Sequence, residues 1–285
     1  MIEGEIMRAV CGVCMHHCSL KPGQSGLCRA RKNIDGRIRC INYGQVTSLA
    51  LDPIEKKPLA MFRPGSMILS VGSFGCNLSC PFCQNHEISM AGAETERTYY
   101  ISPEALAVKA WECRDSGNIG AAFTYNEPLV GWDYVRDTAK LIKEMGMDNV
   151  LVTNGTASRR VLEELLPYID AMNIDLKAFR ADTYQSLSGD LNVVKEFIAH
   201  AAGNCHVELT TLIVPGINDD ITEMEEEAGW IASVEETAGK KIPLHITRFF
   251  PRYRMTDRDA TEVRQVYRLA ETAGKYLEHV FVGNC

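Results

Sequence analysis

Three cysteines spaced Cys76-x3-Cys80-x2-Cys83 sit in the stretch Val71-Gly-Ser-Phe-Gly-Cys-Asn-Leu-Ser-Cys-Pro-Phe-Cys-Gln-Asn85. Thiolates this close in sequence can converge on one metal centre. A cubane iron–sulfur cluster normally takes four cysteines, and no fourth follows here at a local spacing. Three protein ligands leave one iron open, by the logic that makes a three-ligand zinc catalytic and a four-ligand zinc structural. An open iron can bind a substrate or cofactor. Coincidence is a poor account: with 11 cysteines in 285 residues, roughly 0.016 such matches are expected. A zinc site would want a fourth donor, for which His86 is the nearest candidate.

A second set, Cys11, Cys14, Cys18 and Cys28, encloses His16 and His17 and returns through a turn at Pro22-Gly23. Four thiolates close a tetrahedral shell, so a structural zinc knuckle is expected. The histidines could replace a thiol, lie exposed, or contact the ligands from outside.

The aromatic Phe82 directly before Cys83 completes a pattern that resembles the signature of radical S-adenosylmethionine (SAM) enzymes. The phrases below make the chain similar to the activating enzymes of glycyl-radical enzymes, such as the pyruvate formate-lyase activases. Gly75-Cys-Asn-Leu-Ser-Cys-Pro-Phe-Cys-Gln-Asn85 resembles most closely the radical SAM member of the AmmeMemoRadiSam set. The resemblance implies a [4Fe-4S] cluster on Cys76, Cys80 and Cys83, with SAM on the open iron. It also admits an auxiliary cluster, instead of Zn2+, on Cys11, Cys14, Cys18 and Cys28.

These residues need elements to position them. The apolar run Met67–Val71 reads as a buried strand that places the three thiols at its C-terminal end. Further strands are expected at Ile119–Thr124, Val150–Thr153, Ala171–Leu176, Val207–Val214, Leu244–Thr247 and His279–Val282. Helical patterns separate them, near Val130–Met145, Ser158–Leu166, Asn192–Ala202, Asp220–Thr237 and Thr261–Gly274, with another starting at Ser102-Pro103. Near-continuous apolar strands between helices mean a parallel α/β sheet covered on both faces. The resemblance makes it a partial (β/α)6 TIM-like barrel over residues 65–285. Residues 1–64 form a small Cys-rich module, with a hairpin expected over Arg37–Leu51.

In such barrels the site lies at the C-terminal strand ends. Thr124-Tyr-Asn-Glu-Pro128 stands where the family has Gly-Gly-Glu; Glu127 suits the methionine ammonium of SAM, and Asn126 can donate and accept. Thr153-Asn154-Gly155 offers two polar side chains at a turn. Asp175-Leu-Lys177 matches the activases, with Lys177 expected on the methionine carboxylate. Leu212-Ile-Val-Pro-Gly216 could border the adenine. His245 matches a family histidine of the sixth strand, with Arg248 nearby.

Net charge is −7, which disfavours nucleic acid and anionic membrane as partners. No apolar stretch could span a bilayer, and Met1–Ala9 lacks the apolar core of a signal peptide. An odd cysteine count at metal-ligand spacings argues for a reducing cytoplasm, and an exposed cluster for anaerobic conditions. The resemblance implies an oxidoreductase that reductively cleaves SAM to a 5′-deoxyadenosyl radical, which abstracts hydrogen. A ferredoxin or flavodoxin would supply the electron. The hydrogen would come from a glycyl-radical protein, or from another peptide or small molecule alongside AmmeMemoRadiSam partners. A non-enzymatic iron–sulfur or zinc electron-transfer module is the competing class.

Overall fold

A computed structural model describes residues 8–95 and 97–285. The expectation about a leader over Met1–Ala9 falls mostly outside these residues.

The N-terminal part is built of short strands: β1 (Ala9–Val10), β2 (Ser19–Leu20), β3 (Arg31–Ile34), β4 (Arg37–Cys40) and β5 (Gln45–Val46). β1 pairs with β2, and β3 with β4, both antiparallel. Asp35 and Gly36 both take positive φ, 50° and 77°, as an Asp-Gly hairpin turn requires. The hairpin expected over Arg37–Leu51 therefore does not form. Arg37–Cys40 folds back onto β3, and the later half, β6 (Ser48–Pro53), pairs with β7 (Met67–Gly72) in the main sheet.

The rest alternates: α1 (His86–Ser89), β8 (Tyr99–Tyr100), α2 (Pro103–Glu112), β9 (Asn118–Phe123), α3 (Trp132–Glu144), β10 (Asp148–Thr153), α4 (Arg159–Leu165), β11 (Ala171–Asp175), α5 (Ala181–Ser186), α6 (Leu191–Ala202), β12 (His206–Ile213), α7 (Ile221–Ala238), β13 (Leu244–Arg248), α8 (Val263–Ala273) and β14 (Val280–Gly283). β8 pairs with β5. The main sheet runs β14-β13-β12-β11-β10-β9-β7-β6. Every neighbouring pair is parallel except β6 with β7. β6 and β14 are edges, so the barrel is partial.

Local chemistry sets the helix starts. Ser102 Oγ accepts from Ala105 N at 3.2 Å ahead of Pro103, and Asp220 caps α7 through Glu223 N. Contrary to the two-faced cover expected, the long helices feed one core. Leu106, Ile142, Val194, Met224 and Leu269 join it with Leu69, Leu151, Leu209 and Ile246 of the strands. That is the convex side of a barrel. On the other face Ile68, Ala122, Val150 and Ala171 meet Ile54 and Leu59 of the polar-looking loop after β6. This loop plugs the end opposite the cysteines. Each such leucine, fully buried, contributes about 2 kcal/mol of transfer free energy.

Candidate active site at the Cys76 loop

The chain leaves β7 at Gly72 and is clamped at once. Asn126 Oδ1 accepts from Ser73 N at 3.0 Å, and its Nδ2 donates to the carbonyls of Phe74 (3.1 Å), Gly75 (3.0 Å) and Glu127 (3.2 Å). Asn126 thus shapes the loop rather than facing an open mouth. Gly75 has φ 93°, and a Cβ there would lie 2.4 Å from the Cys28 carbonyl oxygen. The N-terminal cysteine segment is therefore pressed directly against the loop.

Cys80 is buried with Leu78, Phe82, Val214, Phe249 and Met255, and Cys76 and Cys83 sit at the edge of this apolar cluster. Phe82 and the Leu212–Gly216 segment so form the wall under the thiols. Burial pushes Cys76 well above the usual thiol range and Cys80 up to about 11, with Lys177 pulling Cys80 back. Cys76 Sγ accepts from Leu78 N at 3.4 Å and Asn154 Nδ2 at 3.7 Å. Neither sulfur is spent in a disulfide. The desolvated thiols of Cys76 and Cys80 with Cys83 beside them, N–H donors aimed at one sulfur and a cation nearby fit an anionic iron–sulfur cluster. His86 does not complete a zinc shell: its Nδ1 lies 3.3 Å from Cys83 O and its ring stacks on Tyr253.

Glu127 is 4% exposed. Its carboxylate accepts from Leu129 N (3.0 Å), Thr153 Oγ1 (2.7 Å) and Asn154 N (2.7 Å). Burial nonetheless pushes its carboxyl up to about 7. Asn154 in turn reaches Cys76 and Asn77. Asp175 and Lys177 pair at 2.9 Å with side chains 34% and 19% exposed, leaving an outer edge for a ligand. Burial pulls the Lys177 ammonium down, but Asp175 and Cys80 outweigh it and hold it above the ordinary lysine value.

His245 is placed elsewhere. It is the second residue of β13, and Nε2 lies 2.6 Å from Glu208 Oε2 near the start of β12. Glu208 also holds the amides of Ala60 and Met61 in the barrel plug. His245 thus belongs to the N-terminal end of the strands, away from the rim. Arg248 is tied to Thr261 O.

Cys11, Cys14 and Cys28 are buried and Cys18 half-buried. Burial raises Cys14 to about 11, and Cys28 and Cys11 add to the rise. Among the described residues no three Cys, His, Asp or Glu side chains are arranged to hold a metal ion. Around one zinc ion the sulfurs bond at about 2.3 Å, whereas each cysteine of a cubane binds a different iron.

Three features escape a sequence reading. Asn77 is buried and bridges Thr156, Asn154 and His16, whose Nε2 lies 2.8 Å from Asn77 O. Arg29, at φ 61°, donates to Cys76 O and Ser89 O, both at 3.1 Å. The segment 251–255 packs on the loop through Met255 and an Arg254 N to Pro81 O bond of 3.0 Å. Only Asn77, inside the motif, carried a sequence signal.

The comparisons agree with this geometry. The radical SAM superfamily profile matches residues 70–228. An uncharacterized protein of Methanocaldococcus jannaschii is 37% identical over 96% of this chain and 80% of its own length. The pyruvate formate-lyase-activating enzyme of Clostridium pasteurianum is 24% identical over 72% of this chain and 85% of its own. A crystallised domain of the pyruvate-formate lyase-activating enzyme from Bacteroides vulgatus superposes with TM-score 0.50 at 16% identity, covering 58% of this chain and 99% of that domain. With three thiols at a strand end and a family match across more than half its length, this chain belongs to the radical SAM superfamily.

Proposed function

We propose that the chain is an activase-like radical SAM oxidoreductase. What supports the chemistry is the placement of Cys76, Cys80 and Cys83 at the end of β7 with Lys177 acting on Cys80. The likeness to the Clostridium activase over 85% of that enzyme supports the choice of class. When bound, a [4Fe-4S] cluster and SAM supply reductive cleavage to a 5′-deoxyadenosyl radical that takes a hydrogen atom. The protein's own residues hold and orient. The three cysteines hold the cluster. Lys177 receives the methionine carboxylate, with Asp175 fixing its position. Glu127 keeps one of about four acceptor positions for the ammonium while it locks Thr153 and Asn154. The apolar wall of Phe82, Val214 and Phe249 excludes water.

On this reading residues 1–64 form a module whose Cys11, Cys14, Cys18 and Cys28 bind zinc or an auxiliary cluster. A ferredoxin or flavodoxin supplies the electron, in the cytoplasm and without oxygen. No described helix is long and apolar enough to cross a membrane. The hydrogen donor is a backbone glycine of a glycyl-radical protein. A second reading is modification of a peptide or small molecule with AmmeMemoRadiSam partners. It is favoured because the Clostridium match leaves more than a quarter of this chain unmatched.

The test is anaerobic reconstitution, dithionite reduction with SAM, and assay for 5′-deoxyadenosine. Cys80→Ala is expected to abolish it; turnover surviving that change refutes the cluster assignment. A glycyl EPR doublet on an added partner supports the activase, and a modified product without one supports the second reading. In a Cys11→Ala/Cys14→Ala variant, metal analysis should show zinc lost and the catalytic iron kept; iron loss favours an auxiliary cluster.

A further inference from the structure

One exposed segment from outside the motif packs on the cluster loop. After β13 the chain turns back, and Arg252 and Met255 exchange backbone hydrogen bonds of 3.1 Å. The tip between them is tied to the cysteines twice. Arg254 N donates to Pro81 O, between Cys80 and Cys83, and the Tyr253 ring stacks on His86 with centroids 4.4 Å apart. His86 Nδ1 then meets Cys83 O, which can only accept, so the ring carries its proton there. Tyr253 sits at φ 58°, a conformation that costs a non-glycine residue free energy and holds the ring against His86.

The charge on this tip is unlike the chain's. Net charge is −7, yet Arg252 and Arg254 are exposed, and among the described residues neither guanidinium forms an ion pair. Arg254 only lies over the Tyr253 ring, at 5.0 Å. The neighbouring Arg258 is, by contrast, neutralised by Asp257. Two unpaired cations on an acidic protein attract an acidic partner and speed its encounter. The tip touches the cysteine loop itself, at Pro81 O and at His86, so a partner seated on it lies beside the cluster ligands, where an electron donor must come.

Resting on the radical SAM reading, we propose that the Arg252–Tyr253–Arg254 tip is the docking surface for an acidic, low-potential electron-transfer protein. One electron passes from the partner's reduced cofactor to the cluster. The partner is oxidised by one electron and the cluster reduced by one, and no bond or proton moves in this step.

The test compares reconstituted parent, Arg252→Glu/Arg254→Glu and Arg252→Lys/Arg254→Lys proteins. Cluster reduction is followed by stopped-flow absorbance with a reduced acidic flavodoxin and, separately, with dithionite, which needs no docking. The charge reversal should slow reduction by flavodoxin about tenfold or more at low salt, with the gap closing at high salt. The lysine variant should stay near the parent rate, and dithionite should reduce all three alike. Equal flavodoxin rates in parent and charge-reversed protein overturn the proposal. So does an equal loss with dithionite, which would make the tip a support of the cluster. So does a charge reversal that weakens only a protein substrate's modification. A parent that dithionite cannot reduce to a SAM-responsive EPR signal refutes the radical SAM reading instead.

Discussion

Glu127→Gln separates the architectural work of this carboxylate from any work it does as an anion. In the folded protein burial pushes the Glu127 carboxyl from the usual 4.5 up to about 7. The sign follows directly. Below pH 4.5 the group is protonated whether the chain is folded or not. Above it the unfolded chain loses the proton first, so stability falls as pH rises, until the folded carboxyl ionises near 7. Each tenfold change in proton activity is worth about 1.4 kcal/mol. Between pH 5.5 and 7 Glu127 therefore removes about 2 kcal/mol of stability, and no more above that. Glutamine keeps the oxygen that accepts from Leu129 N and Thr153 Oγ1, and its amide opposes Asn154 N as a protonated carboxyl would. The assay is urea unfolding of the reduced apoprotein, parent and variant, at pH 5.5 and pH 8. The variant should gain about 2 kcal/mol on the parent between the two pH values. A constant difference, or one that grows in the parent's favour, shows the carboxylate to be held as a stabilised anion and refutes the reasoning.

Two further changes probe the supports of the site. Gly75→Ala puts a methyl group 2.4 Å from Cys28 O at φ 93°. It should cost about 2 kcal/mol or more in denaturant unfolding and lower the iron bound per chain on reconstitution; full iron loading at parental stability would show the contact to be dispensable. Glu208 is buried, which raises its pKa, but His206, His245 and two backbone amides together pull it down to about 2. Its stabilisation is complete above pH 4.5 and is lost as pH falls towards 2. Glu208→Gln should cost about 3 kcal/mol at pH 7, a penalty that shrinks as pH falls towards 2, and a penalty independent of pH would contradict this.

The parallel strands and their helices were legible because their signals are local. Apolar runs, the Ser102-Pro103 start and the Cys76 spacing lie within a few residues of one another. The hairpin expected over Arg37–Leu51 fails because the chain turns before that stretch and not within it. Asp35-Gly36 is the stronger turn, while Gly44 is glycine because Tyr100 crowds it, 2.6 Å from where a Cβ would stand. His245 was given the correct strand but the wrong height along it; periodicity reports which face a side chain takes, not how far from the rim it stands.

The deeper omission is non-local. Nothing in the sequence ties Cys28 and Arg29 to Gly75 and Cys76, yet the structure puts a carbonyl against the glycine and a guanidinium on the Cys76 carbonyl. His16 and Asn77 repeat the link from another side. A loop carrying three ligands has too few local bonds to hold its own shape, since its backbone groups must find partners once buried. Asn126, Asn77 and Arg29 supply them from three separate parts of the chain. The N-terminal cysteine segment is therefore part of the scaffold of the Cys76 loop. A change in that segment's ligation would be transmitted through residues 75–77 before it reached any substrate.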